Sequence, residues 1–209
     1  MKVAVLDITG KDTGRKVELS SDVFEIEPNN HAIYLDVKQH LANKRQGTHK
    51  SKERAEITGS TRKIKKQKGT GTARAGSLKS GVFRGGGRFF GPRPRNYGFK
   101  LNKKVKINAR RSALVNQLKV NNLLILEDLK FDLPKTKEFD TILKSLSLEG
   151  HRVTLVTKEK DKNLFLSSRN IQKFKLVSVE DINTYDLLNC KKLILTEGSV
   201  TELENQLSI

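Results

Sequence analysis

Between Lys44 and Arg111 the chain carries 22 basic residues and two acids, Glu53 and Glu56, a net charge of +20 in one internal stretch. No core can take in such a segment, because a buried Lys or Arg without a partner costs several kcal/mol, on the order of 3–5, and the stretch supplies almost no carboxylates to pair with. The rest of the chain holds 19 basic and 21 acidic residues, so the overall charge of +18 belongs to this one segment. A fold must therefore be built around it, and a polyanionic partner is the natural neutraliser.

The pattern inside the segment agrees. From Gln46 to Leu101 there is neither helical periodicity nor strand alternation, and ten of the fifteen glycines fall between Gly59 and Gly98. Glycine adds backbone entropy that ordering must offset, so the segment is predicted to lack structure alone and to order on a partner. Drawn out as a hairpin, it could extend about 90 Å, against a body radius of gyration of about 15 Å. Its chemistry changes along its length. "KRQGTHKSKERAEITGSTRKIKKQK" is dense in lysine, suited to phosphate as point charges. "KGTGTARAG" is slim, with small residues around Arg74. "FRGGGRFFGPRPRNYGF" interleaves Arg84, Arg88, Arg93 and Arg95 with Phe83, Phe89, Phe90, Tyr97 and Phe99. Guanidinium planes and aromatic rings stack on unpaired bases, which folded RNA offers and duplex DNA does not. The candidate RNA-binding cations are Lys44, Arg45, Lys50, Lys52, Arg54, Arg62, Lys63, Lys65, Lys66, Lys68, Arg74, Lys79, Arg84, Arg88, Arg93, Arg95, Lys103, Lys104 and Lys106, with Phe83, Phe89, Phe90 and Tyr97 as stacking candidates.

Outside the insertion the sequence reads as one α/β domain, residues 1–45 and 101–209, with a mainly parallel sheet flanked by helices and the extended loop 46–100 set into it. Val3–Asp7 and Lys16–Leu19 are predicted strands joined by a turn. A helix is expected over Asn30–Arg45, capped by Asn29 or Asn30, with Ile33, Val37 and Leu41 on one face. A second begins near Asn102, with Ile107, Leu114 and Leu118 inward. The strand Asn122–Leu129 follows, then a helix that buries Phe139, Ile142, Leu143 and Leu146 and stops at Gly150. "RVTLVT", "KFKLVSV" and "KKLILT" are further strands, with "DKNLFLSSRN" and "DINTYDLLNC" as short helices between them. A closing helix is expected from Ser199, with Glu202 completing a capping box. Repeated strand–helix units imply parallel pairing.

Other chemistries find little support. "GTARAGS" has the glycine spacing of a phosphate loop, but Ser77 stands where that motif needs lysine and no strand precedes it. Asp128 ends a predicted strand, where such folds bind ligands, yet a single carboxylate without a partner His, Cys or glycine loop is more often a cap or a surface group. Cys190 is the only cysteine and the four histidines have no ligand-like spacing with it, so no metal, cofactor, catalytic group or small-molecule substrate is expected. No run of about 18 apolar residues suggests a membrane span, and the N-terminus lacks signal-peptide features, pointing to a cytoplasmic protein.

The segments "RQGTHKSKERAEITGS", "RKIKKQKGTGTARAGSLKSGVFRGGG", "LNKKVKINARRSAL", "PKTKEF" and "KNLFLSSRNI" resemble the bacterial ribosomal protein L-four family of the large subunit. The resemblance covers nearly the whole chain and is strongest from Arg45 to Leu114. It implies a structural, non-enzymatic role in the ribosome: primary binding of 23S ribosomal RNA early in assembly, with the extended loop lining the nascent-peptide exit tunnel beside ribosomal protein L-twenty-two. Carried over by position, the tunnel tip is Gln67, Lys68, Gly69, Thr70, Gly71 and Thr72. The chain departs from the family pattern at Ile64 and Lys65, where Pro-Trp is common, and at Thr72, where Arg is common. Two rival classes remain at this point: a free RNA chaperone or nucleoid-type protein, and an enzyme acting on RNA, for which no convergent acid–base or metal constellation is visible.

Overall fold

The computed structural model describes residues 1–208. They divide into two compact units: Met1–Leu41 together with the chain from Lys100 onward, and Ala42–Phe99. The first unit is an α/β body. Its strands are β1 (Lys2–Leu6), β2 (Asp12–Glu18), β3 (Leu123–Leu126), β4 (Val153–Thr157), β5 (Phe174–Ser178) and β6 (Lys192–Thr196). Its helices are α1 (Ser21–Phe24), α2 (Asn30–Asn43, which runs into the second unit), α3 (Lys103–Lys119), α4 (Thr136–Ser145), α5 (Lys162–Ser168), α6 (Thr184–Asn189) and α7 (Glu197–Leu207). One six-stranded sheet runs in the order β2-β1-β3-β6-β4-β5. All its pairings are parallel except the antiparallel β1–β2 edge.

The short apolar strands explain the layering. Successive side chains of a strand point to opposite faces, so Leu193 and Leu195 of β6 enter one core while Ile194 enters the other. The first core joins Leu123 and Ile125 of β3 to Ala113 and Leu114 of α3, Leu187 of α6 and Val200, Leu203 and Leu207 of α7. The second joins Leu126 and Leu155 to Phe139, Ile142 and Leu143 of α4 and Leu164 of α5. A parallel sheet covered on both faces is what hydrophobic runs without alternation require.

Several boundaries differ from the sequence reading. The β1–β2 turn is shorter and β2 starts at Asp12, because Asp7 closes the connection: its amide donates to the Lys11 carbonyl at 2.8 Å and its carboxylate accepts from the Ile8 amide at 2.6 Å. The turn α1 was not legible. Asn29, of the two cap candidates, accepts from the Ala32 amide at 3.0 Å. On α2, Ile33 is buried but Leu41 is exposed, so that face is covered only at its start. Strand β3 is four residues long and not eight. Helix α4 ends at Ser145, and Ser147, at φ 55°, makes the left-handed step before Gly150 is reached. The expected capping box at Ser199 is absent. Helix α7 begins two residues earlier, and the Ser199 hydroxyl donates back to the Thr196 carbonyl at 2.7 Å. Its open end is met by Asp128, whose carboxylate accepts from the Gly198 amide at 3.1 Å. A Cβ on residue 198 would lie 3.1 Å from that carboxylate. Asp128 is thus a cap for a helix N-terminus, with the charge sign the helix dipole favours.

Candidate nucleic-acid interface

Among the described residues the Ala42–Phe99 unit contains no helix or strand of its own beyond the end of α2, and its path is set by contacts between its two halves. The outgoing and returning halves meet repeatedly. Arg95 donates its amide to the Gly47 carbonyl at 3.2 Å, Ser51 to Pro92 at 3.0 Å, Arg88 to Lys52 at 2.9 Å and Ile64 to Gly76 at 3.0 Å. Lys63 and Ser77 form an isolated antiparallel bridge. Glycine makes these meetings possible. A Cβ at Gly47 would lie 2.1 Å from the Arg95 carbonyl oxygen, and one at Gly87 would lie 2.4 Å from the Arg54 amide nitrogen. Gly86, the middle of three consecutive glycines, is closer still: a Cβ there would lie 1.9 Å from the Ser80 carbonyl oxygen.

This doubling back leaves the cations outward. All nineteen candidates are exposed except Lys79 and Lys106, which are half-buried. The only two acids are consumed internally. Glu53 pairs with Arg93, and Glu56 pairs with Lys50 while also accepting the Glu53 amide at 3.1 Å. The Lys50 hydrogen bond, then that amide, holds the Glu56 carboxyl below its usual pKa, so it stays ionised and paired. Lys50 and Arg93 are therefore partly committed, and Arg54 donates weakly to Ser77 at 3.4 Å. Arg84, Arg88, Lys66, Lys68 and Arg74 make no ion pair or hydrogen bond through their side chains among the described residues. In the body, Lys103 and Lys104 open α3, whose first turn contains no acid. The helix dipole disfavours cations there, a local conflict that an anionic partner would relieve.

The four stacking candidates divide. Tyr97 has the Arg45 guanidinium 3.6 Å and that of Arg95 4.6 Å from its ring centroid, and its hydroxyl lies 3.0 Å from Nε2 of His49. It is an internal pillar of the insertion's root, not an open platform, because arginines already take the place a base would need. Phe89 is half-exposed but lies against Gly81, where a Cβ would come within 2.5 Å of its ring. Phe83 is at the margin of exposure. Phe90 alone is fully exposed, and its backbone is left-handed at φ 49°. His49 and Gly47, which build the root with Tyr97, carried no signal in the sequence beyond the glycine itself.

The tip residues Gln67 to Thr72 are all exposed. Gly69 and Gly71 have φ of 81° and 62°, with no heavy atom within 4 Å of where a Cβ would stand. Glycine is required there by conformation and not by crowding within the chain. Lys65 Nζ donates to Thr72 Oγ1 at 2.7 Å, so two of the positions that depart from the family pattern bond to each other across the tip. Beside it, Lys63 donates to Gln67.

The body shows no comparable assembly. A cavity of about 370 Å³ beside β5 is lined by two ion pairs, Lys160–Asp181 and Lys175–Asp186. Among the described residues no group of His, Cys, Asp and Glu could hold a metal ion, and no helix is long and apolar enough to cross a membrane.

A three-layer α/β body carrying an acid-poor insertion whose cations are exposed is the build of a scaffold for a polyanion. The comparisons make the class specific: the family model "Ribosomal protein L4/L1 family" matches residues 17–206, and the chain belongs to that family. It is therefore a ribosomal protein, structural and not enzymatic. Among its relatives, the large ribosomal subunit protein uL4 of Christiangramia forsetii is 59% identical over 208 residues, covering 100% of both chains. That of Cytophaga hutchinsonii is 60% identical over 204 residues, 98% of each, and that of Flavobacterium johnsoniae is 59% identical over 208 residues, 100% of each.

Proposed function

We propose that this chain is a structural constituent of the large ribosomal subunit that binds 23S ribosomal RNA early in assembly through its Ala42–Phe99 insertion. Its place is the bacterial ribosome, a cytoplasmic particle. One observation carries the reading: the insertion's only two carboxylates are spent on its own cations, while more than a dozen Lys and Arg side chains stay exposed. Such a surface is costly to keep except against phosphate. In the body, the first turn of α3 also lacks acids, so Lys103 and Lys104 are available to the same kind of partner. Full-length similarity to large-subunit relatives supports the location. At the insertion's turn, Lys68 and the two left-handed glycines form a slim, cationic tip, which suits a wall of the peptide exit tunnel beside ribosomal protein L-twenty-two and the nascent peptide. A photoreactive amino acid in place of Gln67, in ribosomes stalled on a labelled nascent chain, tests this directly. Cross-links to both the 23S RNA and the nascent chain are expected. Links to RNA alone would remove the tunnel role, and links to neither would remove the tip from the subunit interior.

A further inference from the structure

The insertion contains a cavity of about 620 Å³ between Glu53–Arg54 on one side and Arg88–Arg93 on the other. This is within the roughly 300–1,000 Å³ range of small-ligand clefts. Its rim carries Phe90, fully exposed and held at φ 49°, a conformation that a large side chain rarely adopts. The surroundings force that conformation. Gly91 lets the chain press onto Ser51, where a Cβ would stand 2.7 Å from the serine Cβ, and the Ser51 amide bonds the Pro92 carbonyl at 3.0 Å. With the backbone pinned on that side, Phe90 lines the cavity while its side chain stays fully exposed. Strain held by surrounding structure in order to present an apolar ring to solvent points to a ligand. The chemistry around the ring narrows the choice. Arg88 has an uncommitted guanidinium, and the Glu53–Arg93 pair places a fixed donor and a fixed carboxylate in the wall.

We propose that this cavity is a receptor for one unstacked nucleotide of the ribosomal RNA, its base on the Phe90 ring and its phosphate on Arg88. The proposal rests on the RNA-binding reading above and assigns the stacking to Phe90 and not to its neighbour Phe89 or to Tyr97. The Glu53–Arg93 pair faces the base edge and sets the depth of entry.

Large subunits assembled in cells with the full-length chain, wild type or variant, can be probed across the whole RNA for 2′-hydroxyl acylation. With Phe90→Ala, the reactivity of one unpaired nucleotide should rise by at least about fivefold, the lower end of what one base–aromatic stack contributes. Arg88→Ala should raise the same nucleotide. Phe90→Tyr should keep it protected, and Val82→Ala, at an exposed apolar residue of the same unit outside the cavity lining, should leave it unchanged. An RNA profile identical to wild type in subunits that contain the Phe90→Ala chain at full stoichiometry would overturn the receptor while leaving the RNA-binding reading intact. So would a broad disturbance shared equally by Val82→Ala, which would mark Phe90 as merely structural. Absence of the wild-type chain from the subunits would sink the parent reading instead.

Discussion

Gly47→Ala tests whether the insertion's root is a built element or a passive tether. Three effects add. Residue 47 sits at φ 66°, where an L-residue costs about 1–2 kcal/mol. The new Cβ would stand 2.1 Å from the Arg95 carbonyl oxygen, so the two chain halves must part, and the Arg95 amide loses its bond to the Gly47 carbonyl, about 1 kcal/mol net. Parting them also pulls Arg95 from the Tyr97 ring, about 0.5–1 kcal/mol at an exposed site. The total is about 2.5–4 kcal/mol, and if an ordered root belongs to the proposed RNA-binding conformation, the loss should appear in affinity. Kd for the large-subunit RNA should rise about 60- to 700-fold, while the melting temperature of the α/β body stays within a degree or so. Gly47→Asn separates the causes, since asparagine tolerates left-handed backbone but keeps the offending Cβ. If asparagine restores binding to within about threefold of wild type, backbone strain alone mattered. If alanine itself leaves Kd unchanged, the root does not organise the insertion and the reasoning fails.

Three further outcomes are expected. Leu195→Ala, at a fully buried position in β6, should destabilise the body by about 2–5 kcal/mol in urea titration without altering RNA affinity at saturating folded fraction. If about ten cations of the insertion neutralise phosphates, the log–log dependence of binding on salt should have a slope near −7, and one shallower than about −3 would mean the body does most of the binding. Asp181 is held below the usual carboxylate pKa by the Lys160 hydrogen bond first and the Ser178 hydroxyl second. A depressed carboxylate stabilises the fold above its unfolded pKa and that stability is lost as pH falls through the folded value, so the contribution disappears in acid below about pH 4. Lys160→Met should move the Asp181 titration, read by NMR, upward toward the normal range, and an unmoved titration would remove Lys160 as its cause.

The body was legible because its strands are short unbroken apolar runs with amphipathic helices between them, and such runs admit little but a covered parallel sheet. What escaped was local and tertiary. Nothing adjacent in sequence marks Asp128 as the cap of α7, since the residue it serves, Gly198, lies far along the chain. The Ser199–Glu202 spacing offered a convincing start that tertiary packing overrode. Helix α4 stopped before Gly150 because Ser147 took the left-handed step first. In the insertion, charge segregation announced the cations, and their exposure follows from the lack of acids. The roles of the aromatics could not be read that way. Phe89, Phe90 and Tyr97 share one composition-rich stretch, yet one leans on a glycine, one stands clear and one is stacked beneath two arginines. Those fates depend on which backbone passes beneath each ring, and Gly47, Gly81 and Gly91 decide that only once the chain has doubled back.

The central claim is that the chain works as a fixed component of the large subunit, and sedimentation of the full-length protein in a native extract at moderate salt tests it most directly. The account predicts one copy per large subunit, and loss of that co-sedimentation when Arg84, Arg88 and Arg74 are all changed to Glu while the body stays folded. Recovery of the wild-type chain at the top of the gradient, or spread across nucleic-acid fractions without stoichiometry, would contradict it.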